Sequence, residues 1–430
     1  SRHAEGTAYA AFDGHRNDDY GTYLFKTTDF GATWVSLRAN LPFGWVHVVR
    51  EDARNPRLLF VGTEFGVFGS WDGGRSWLNL KASNLPTVAV NDLLVHPRDN
   101  DLIIGTHGRG VWILDDIGFL QEASEAVLAE PVRVFASRPA VQWFMGGVRE
   151  SYSKPPFLGK NPSYGLGIGV HFAAEPGEKP KITVLSKDGR VVTELPLNKK
   201  AGFQREYWSL QYVPAGPDGK KATPPAIGFF SLPWVSPGDY DIVVSAGDLT
   251  GKTTATVKSD PRYPFSEAER KLQADALYQV LVLNKKMSLA ATAAKDLRRQ
   301  IDRSLKPAFD RPENKAGALQ AAYQAFEASF RPLEDAIVPK EFFAAGTSRA
   351  NALRGGTINQ LVATLGMTVS GFPAAPNATD LEQLKDLSAA VAKTVTDLNE
   401  FLVKGVPVLN KTLDAFKLTP LKAPREIDLE

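Results

Sequence analysis

Hydrophobic positions follow three different patterns along the 430 residues of the chain. From residue 1 to about 120, short apolar runs alternate with turns rich in glycine, tryptophan and aspartate, which favours short β-strands. Residues from about 126 to 262 also form β-like runs, separated by many prolines. From about 263 to 418, alanine, leucine, lysine and glutamate recur with a helical period. The pattern therefore predicts two β-rich parts followed by a helical part.

The first part contains an internal repeat of eight residues. Thr27–Trp34 reads TTDFGATW and Ser70–Trp77 reads SWDGGRSW, so both fit Ser/Thr-x-Asp-x-Gly-x-Thr/Ser-Trp. The two tryptophans lie 43 residues apart, which is the length of one four-stranded sheet of a β-propeller. A second pattern agrees, because GTEFGVF from Gly62 recurs as GTHGRGVW from Gly105 with one residue inserted.

Each position of this repeat has a physical role in a tight turn. The aspartate can accept backbone N–H bonds within the turn, and the glycine can adopt a positive φ. The tryptophan begins the next strand and can pack between neighbouring sheets. We therefore predict a structural role, and no chemistry, for Thr27, Asp29, Gly31 and Trp34 and for Ser70, Asp72, Gly74 and Trp77.

The eight-residue pattern is similar to the Asp-box, or BNR repeat, of sialidases and of sortilin-type β-propellers. Other segments resemble the closing part of bacterial sortilin-like proteins, which are often labelled "glycosyl hydrolase": Gly6–Ala11, Asp13–Tyr20, Val49–Asp52, Leu85–Val88, Thr106–Asp116, Gly159–Pro162 and Asp260–Arg262. The resemblance implies an exported bacterial protein. It also implies a partial propeller of about three blades, because in that family the propeller is much longer and lies upstream.

The fold class that we predict is multidomain: all-β, then all-α. Residues 1–125 are assigned to the final blades of an Asp-box β-propeller, and residues 126–262 to a linker and a β-sandwich of immunoglobulin or fibronectin type III kind. Residues 263–430 are assigned to a bundle of four helices. The strands predicted in the sandwich are Leu166–Phe172, Lys181–Ser186, Arg190–Leu195, Glu206–Leu210, Gly238–Ala246 and Thr253–Lys258, with a hairpin turn at Lys187–Gly189.

A capping box, Ser266–Glu269, predicts the start of the first long helix, which we expect to run to about Leu305. The helical stretches are separated by Pro307, Pro312, Pro373 and Pro376. The later helices are expected at Lys315–Ala336, Thr357–Val369, Ala378–Lys404 and, as a short one, Leu409–Ala415.

Composition narrows the function classes. Fifty basic and 48 acidic residues leave a net charge of +2, which gives no reason to expect nucleic acid as a partner. No apolar run has the length of a transmembrane segment. Cysteine is absent, which excludes disulfides and thiolate chemistry. Without a signal peptide, and with strand-like sequence from about residue 6, the chain is interpreted as a mature or truncated piece of a longer protein.

Ionisable residues from three predicted blades share one edge. The repeated turns join the third strand of each blade to the fourth. The connections that carry these ionisable residues therefore lie at the opposite edge of the blades. We therefore expect a ligand-facing rim that carries His15, Arg16, Asp18, Asp19, Glu64, His107 and Arg109. The alternative is a solvated loop edge in which aspartate and asparagine serve only as turn residues.

Catalysis and metal binding have less support. A sialidase needs an arginine cluster together with a nucleophile and an acid, and no spacing here singles out three arginines. The adjacent pairs Asp18-Asp19 and Asp115-Asp116 would point to opposite sides of an extended segment. Six histidines without close ligand spacing give no metal site, no cofactor motif is present, and Ser83, Ser137 and Ser163 lack a nucleophile-elbow context.

Two function classes therefore remain. The first is a non-catalytic, exported interaction protein whose propeller binds a protein, a peptide or a glycan and whose other modules support assembly. The second is a sialidase-like glycoside hydrolase. In both cases three blades leave open sheet faces. We expect the missing blades to come from the upstream part of the same gene product or from a partner subunit.

Overall fold

The computed structural model describes residues 1–80, 85–143, 163–213, 233–309, 317–338, 357–371 and 374–427. Gly159–Pro162, Ser83, Pro312 and Pro373, which the sequence analysis singled out, lie outside these ranges. The described chain is rich in β-sheet and ends in helices. It divides into two compact units. One holds described residues of 1–141, 163–209 and 239–258, and the other holds those of 259–427 with 142–143, 210–213 and 233–238.

The first unit begins with three antiparallel sheets, each formed by strands in chain order. The first sheet consists of β1 (Ala8–Phe12), β2 (Tyr23–Thr27) and β3 (Val35–Ser36). The second consists of β4 (Val46–Glu51), β5 (Leu59–Thr63), β6 (Gly66–Ser70) and β7 (Leu78–Asn79). The third consists of β8 (Val90–Val95), β9 (Leu102–Thr106) and β10 (Val111–Leu114), followed by α1 (Gly118–Glu122) and α2 (Glu125–Leu128).

Burial shows how these sheets are stacked. Every residue of β5 and β6 is buried, whereas β1, β2, β9 and β10 have buried residues only at some positions or none. A strand that is buried at successive positions is covered on both faces of its sheet. One apolar cluster joins the second sheet to the first, and another joins it to the third. The second sheet is therefore the middle of the stack.

Two further sheets complete the β-rich part. One has the strand order β11 (Val132–Val134), β13 (Leu166–Phe172) and β16 (Gly202–Trp208). The other has the order β12 (Ala140–Gln142), β18 (Leu249–Ser259), β17 (Gly238–Ala246), β14 (Lys181–Ser186) and β15 (Val191–Pro196). Three of these strands, β13, β14 and β17, have the predicted bounds. The short strands β11 and β12 were not predicted, because three residues carry almost no alternation signal.

The hairpin between β14 and β15 turns where the sequence predicts. The Gly189 amide donates to the Ser186 carbonyl oxygen, and the Ser186 amide donates to the Arg190 carbonyl oxygen. Gly189 has a φ of +81°, a conformation that glycine adopts without steric cost.

The second unit contains α3 (Glu267–Gln300), α4 (Lys306–Phe309), α5 (Ala318–Ile337), α6 (Ile358–Ser370), α7 (Ala378–Glu400) and α8 (Val406–Ala415). Capping boxes start three of them, at Ser266, Thr357 and Asn377. All of these helices except α4 contribute to one apolar cluster, in which Met287, Phe330, Val395 and Leu413 are fully buried.

Two of the expected helix breaks are instead π-helical turns. Ile301–Leu305 joins α3 to α4, and Phe401–Gly405 joins α7 to α8. A proline follows each turn at the same distance, Pro307 in the first case and Pro407 in the second. The proline ring would clash with the carbonyl four residues earlier in a regular α-helix, and a wider turn relieves that clash. The prediction that Pro307 ends its helix was therefore wrong.

Candidate functional site

The two repeated turns, which we call the box turns (Thr27–Trp34 and Ser70–Trp77), have matching hydrogen bonds. In the second, Asp72 accepts from the Ser76 amide at 3.0 Å, from the Ser76 hydroxyl at 2.6 Å and from the Ser70 hydroxyl at 2.7 Å. In the first, Asp29 accepts from the Thr33 amide at 2.9 Å and from its hydroxyl at 2.6 Å. The aspartate therefore holds the turn together from within.

Glycine is needed where the second box turn meets the first sheet. Gly74 has a φ of +93°, and a β-carbon there would lie 2.8 Å from Cδ1 of Leu37. The equivalent Gly31 also has a positive φ, of +89°. Backbone conformation and close packing thus both favour glycine at this position.

Hydrogen bonding lowers the pKa of both box-turn aspartates to about 2. For Asp29 the largest cause is the Thr33 hydroxyl, followed by the Thr33 amide. Partial burial by itself would raise the pKa of Asp72, but the bonds from Ser76, Ser70 and the Arg75 amide outweigh it.

Stability is therefore expected to depend on pH through these groups. A carboxyl group whose pKa is lower in the folded state stabilises the fold above its ordinary pKa, and this contribution is lost as the pH falls through the folded value. Between wild type and Asp72→Asn, the difference in free energy of unfolding should shrink as the pH falls from about 4 to about 2. Urea titrations across this interval measure it. A difference that does not change with pH would contradict the assignment.

The tryptophans of the two box turns lie in different surroundings. Trp77 is 2% exposed, and its indole N–H donates to the Leu37 carbonyl oxygen at 2.9 Å. The Asn40 side chain also donates to the Trp77 carbonyl oxygen and accepts from its amide. Trp34 is 45% exposed, and its indole N–H donates to Gly31 of its own turn. The first sheet covers Trp77, whereas no sheet among the described residues covers Trp34.

Several side chains meet at the opposite edge of the first two sheets, which we call the rim. The rim cluster consists of Asp13, His15, Trp45, His47 and Glu64. Asp13 lies 2.5 Å from Nδ1 of His15 and 3.4 Å from Nδ1 of His47. His47 Nε2 lies 3.9 Å from Glu64, and the His15 ring stacks on Trp45 at a centroid distance of 4.7 Å.

The hydrogen bond from Trp45 determines the tautomer of neutral His47. The indole Nε1–H donates to His47 Nε2 at 2.8 Å, so Nε2 is an acceptor and the ring proton lies on Nδ1, facing Asp13. Partial burial by itself would raise the pKa of Asp13, but the hydrogen bonds from the His15 ring and the His15 amide outweigh it and lower the pKa. Asp13 is thus held as a carboxylate.

An apolar groove lies beside the rim cluster. Its lining includes Pro42, Phe65, Leu85 and Pro86. The Phe65 ring lies against Gly44, and Phe43 next to it is 66% exposed. Side chains of this kind, next to a carboxylate cluster, can hold a ligand that has both an apolar and a cationic group.

The predicted rim residues are only partly brought together. His15 and Glu64 belong to the rim cluster, whereas Asp19 accepts from the Gly21 amide and the Tyr23 hydroxyl in its own loop. Arg16, Asp18, His107 and Arg109 are exposed. Within the described ranges, no side-chain hydrogen bond or ion pair joins these four to the cluster.

Sequence reasoning missed Asp13, Trp45 and His47. Asp13 appeared as a turn residue before Gly14, and Trp45 and His47 flank the first buried residue of β4. The alternation Trp45-Val46-His47 was a usable signal, because it puts both rings on the face of the strand opposite Val46.

Arg205 and the Asp116 carboxylate hold the backbone in place at the two adjacent aspartates after β10. Arg205 donates to the carbonyl oxygens of Asp115 and Asp116, each at 2.7 Å. The carboxylate of Asp116 accepts from the Gly118 amide at 3.2 Å. Burial, the largest effect, raises the pKa of Asp115.

Within the described part of the chain, histidine, aspartate and glutamate form no group of three that could hold a metal ion. The same ranges contain no helix with both the length and the apolar character that crossing a membrane requires.

Comparison with known proteins gives only distant structural matches. No family model and no curated protein matches the chain. Among solved structures, PorZ, a surface component of the type-IX secretion system of Porphyromonas gingivalis, is 16% identical, with a TM-score of 0.22 over 59% of this chain and 29% of PorZ.

Two further solved structures match at a similar level. The extracellular domain of BT4673 from B. thetaiotaomicron is 10% identical, with a TM-score of 0.20 over 60% of this chain and 29% of that chain. The GH74 enzyme of Niastella koreensis is 10% identical, with a TM-score of 0.23 over 60% and 36%. The chain thus spans about a third of the length of these β-rich bacterial proteins, two of which are surface or extracellular components.

Proposed function

We propose that the first three sheets are consecutive blades of an Asp-box β-propeller. The 43-residue repeat supports this, since it superimposes β2 and β3 on β6 and β7. The first sheet then corresponds to β5–β7, without a counterpart of β4 among the described residues. In the proposed architecture, the next two sheets form a sandwich and the helices a four-helix bundle, with domains at 1–125, 126–262 and 263–430.

We propose further that the protein is an exported, non-catalytic binding protein that takes a polypeptide ligand at the rim. Export rests on the resemblance of the repeat segments to bacterial sortilin-like proteins. The single observation that carries the binding role is the rim cluster beside the Phe65 groove. The groove accepts an apolar side chain, and the carboxylates of Asp13 and Glu64 attract a basic one.

The chemistry of the rim cluster favours binding over hydrolysis. A glycosidase of the sialidase-like alternative needs a carboxylic acid that holds a proton and arginines that hold a substrate carboxylate. Asp13 is held ionised, so it offers no proton. Arg16, which follows His15 directly, is exposed and is not joined to the rim cluster.

A selection for ligands tests the rim directly. Peptides from a random phage-displayed library, selected on the wild-type chain, are expected to bind Phe65→Ala and Asp13→Asn at least about tenfold more weakly, since each variant removes one recognition element. Arg75→Gln is the matched control, because Arg75 is exposed in the second box turn at the opposite edge. Dissociation constants from titration calorimetry provide the readout.

Two results would contradict the proposal. Selected peptides that bind Phe65→Ala and Asp13→Asn as tightly as wild type would remove the rim from the interaction. If no peptide is enriched and a glycan array captures the wild-type chain but neither variant, the ligand at the rim is a carbohydrate and not a polypeptide. Release of free sugar from such a glycan would establish the hydrolase instead.

A further inference from the structure

The outward side of the first sheet is an aromatic surface, which we call the open face. Its strands alternate, so that Tyr9, Ala11 and Leu24 pack toward the second sheet. The residues between them point outward. Phe12 is 57% exposed, the Phe12 and Phe25 rings are in edge contact at 6.2 Å, and Trp34 is exposed at the start of β3.

The second sheet has an equivalent face, and the first sheet packs against it. Strand pairing makes Ala10 equivalent to Val61, because Ala10 pairs with Phe25 and Val61 pairs with Phe68. Val61 is fully buried, as is nearly all of Phe68, whereas Ala10 and Phe25 are partly exposed. The two box-turn tryptophans differ in the same way, because Trp77 is buried and Trp34 is exposed. Each position is thus buried in the second sheet and open in the first.

Particular groups of the first sheet, and of the connection that leads from β3 to β4, cover the second sheet. Leu24, Leu37 and Leu41 pack in one cluster with Val61, Phe68 and Trp77. Leu37 also provides the carbonyl for the indole N–H of Trp77, and Asn40 bonds both the amide and the carbonyl of that residue. The contact therefore combines an apolar surface with three directed hydrogen bonds, which fixes its register.

We infer that the open face docks a further sheet of the same repeat type, in the register with which the first sheet covers the second. The incoming sheet presents leucines to Ala10 and Phe25, the equivalents of Val61 and Phe68. It presents a backbone carbonyl to the Trp34 indole and an asparagine side chain to the Trp34 backbone. This inference rests on the proposed propeller and names the chemistry of its missing neighbour.

Single cysteines test the open face, because the chain has no cysteine of its own. Ala10→Cys places a thiol on this face, and Phe12→Cys is a second variant at an exposed position. Leu78→Cys is the control, because Leu78 is 63% exposed on the outer strand of the second sheet, which already has neighbours on both sides. Maleimide labelling rates are compared between the purified 430-residue chain and the protein in preparations from its native source.

We expect both open-face thiols to react at least about tenfold more slowly in the native preparation, and the Leu78→Cys thiol to react at an unchanged rate. Equal rates for Ala10→Cys in the two preparations would overturn the inference. Protection in the purified chain that increases with its concentration would identify a second copy as the occupant, which also overturns it. The proposed binding at the rim is tested separately. It is contradicted if the selected peptides bind Phe65→Ala and Asp13→Asn as tightly as wild type.

Discussion

Replacement of Trp77 by alanine is expected to lower the free energy of unfolding of the first unit by about 3–5 kcal/mol, the usual cost of removing a buried aromatic side chain. Trp77 packs with Leu24, Leu37 and Phe68, and its indole hydrogen bond is lost as well. Trp34→Ala, the equivalent change in the first box turn, is expected to cost about 1 kcal/mol or less in the same chain, because its ring is 45% exposed.

Urea unfolding followed by circular dichroism measures both variants. The prediction concerns the difference between them, since the two residues have the same type and the same position in the repeat. Equal losses of stability would mean that Trp34 is covered in the isolated chain, which would contradict the open face.

Replacement of Arg298 by leucine is the second large expected effect, at about 2–4 kcal/mol in the helical unit. Arg298 donates to Glu327 at 2.7 Å and to Glu334 at 2.6 Å, and its guanidinium lies 5.1 Å from the centre of the Phe330 ring. Hydrogen bonding to the two glutamates raises its pKa, with Glu334 the larger cause. Without the guanidinium, two half-buried carboxylates lose their shared partner.

Arg299→Leu provides the matched control. Arg299 is the next residue on the same helix, but its side chain is 64% exposed, and among the described residues its ion-pair partner is Asp296 one turn away. Surface pairs of this kind contribute little, so we expect a change within about 0.5 kcal/mol. Thermal unfolding measures the Tm of both variants under the same conditions, and we expect the larger decrease for Arg298→Leu. A similar shift of Tm for both would show that the pair of glutamates does not depend on Arg298.

The sequence predicted the local features that a short motif can specify. The box-turn aspartates accept the bonds that their spacing suggests, and Ser266 and Thr357 begin helices at the expected residues. These features depend on hydrogen bonds between residues at most four apart. A linear pattern carries such information directly.

Features that depend on long-range packing were only partly predicted. The rim cluster joins Asp13 to His47 and His47 to Glu64, residues from two separate connections and from strand β4. Asp13, His47 and Glu64 lie far apart in the sequence, so only the stacking of the sheets brings them together. The same stacking leaves His107 exposed, although its position in the repeat matches that of Glu64.

The helical part shows a conflict between local preference and burial. Helix ends were predicted near Pro307 and after Lys404, yet Ile301, Leu305 and Leu402 are buried in the shared apolar cluster. Burying these side chains stabilises a continuous helical path, and a π-turn is the local adjustment that allows it. Sequence rules for proline do not include this compensation.

The central claim is that the three sheets belong to a larger propeller and need a further sheet of the same type. Native mass spectrometry of the protein isolated from its natural source tests it most directly. We predict a species heavier than the 46.8 kDa of this chain, in which the added mass belongs to a polypeptide that carries further Ser/Thr-x-Asp-x-Gly-x-Thr/Ser-Trp repeats. A single, monodisperse species of 46.8 kDa, with its first sheet folded and Trp34 exposed, would contradict the account.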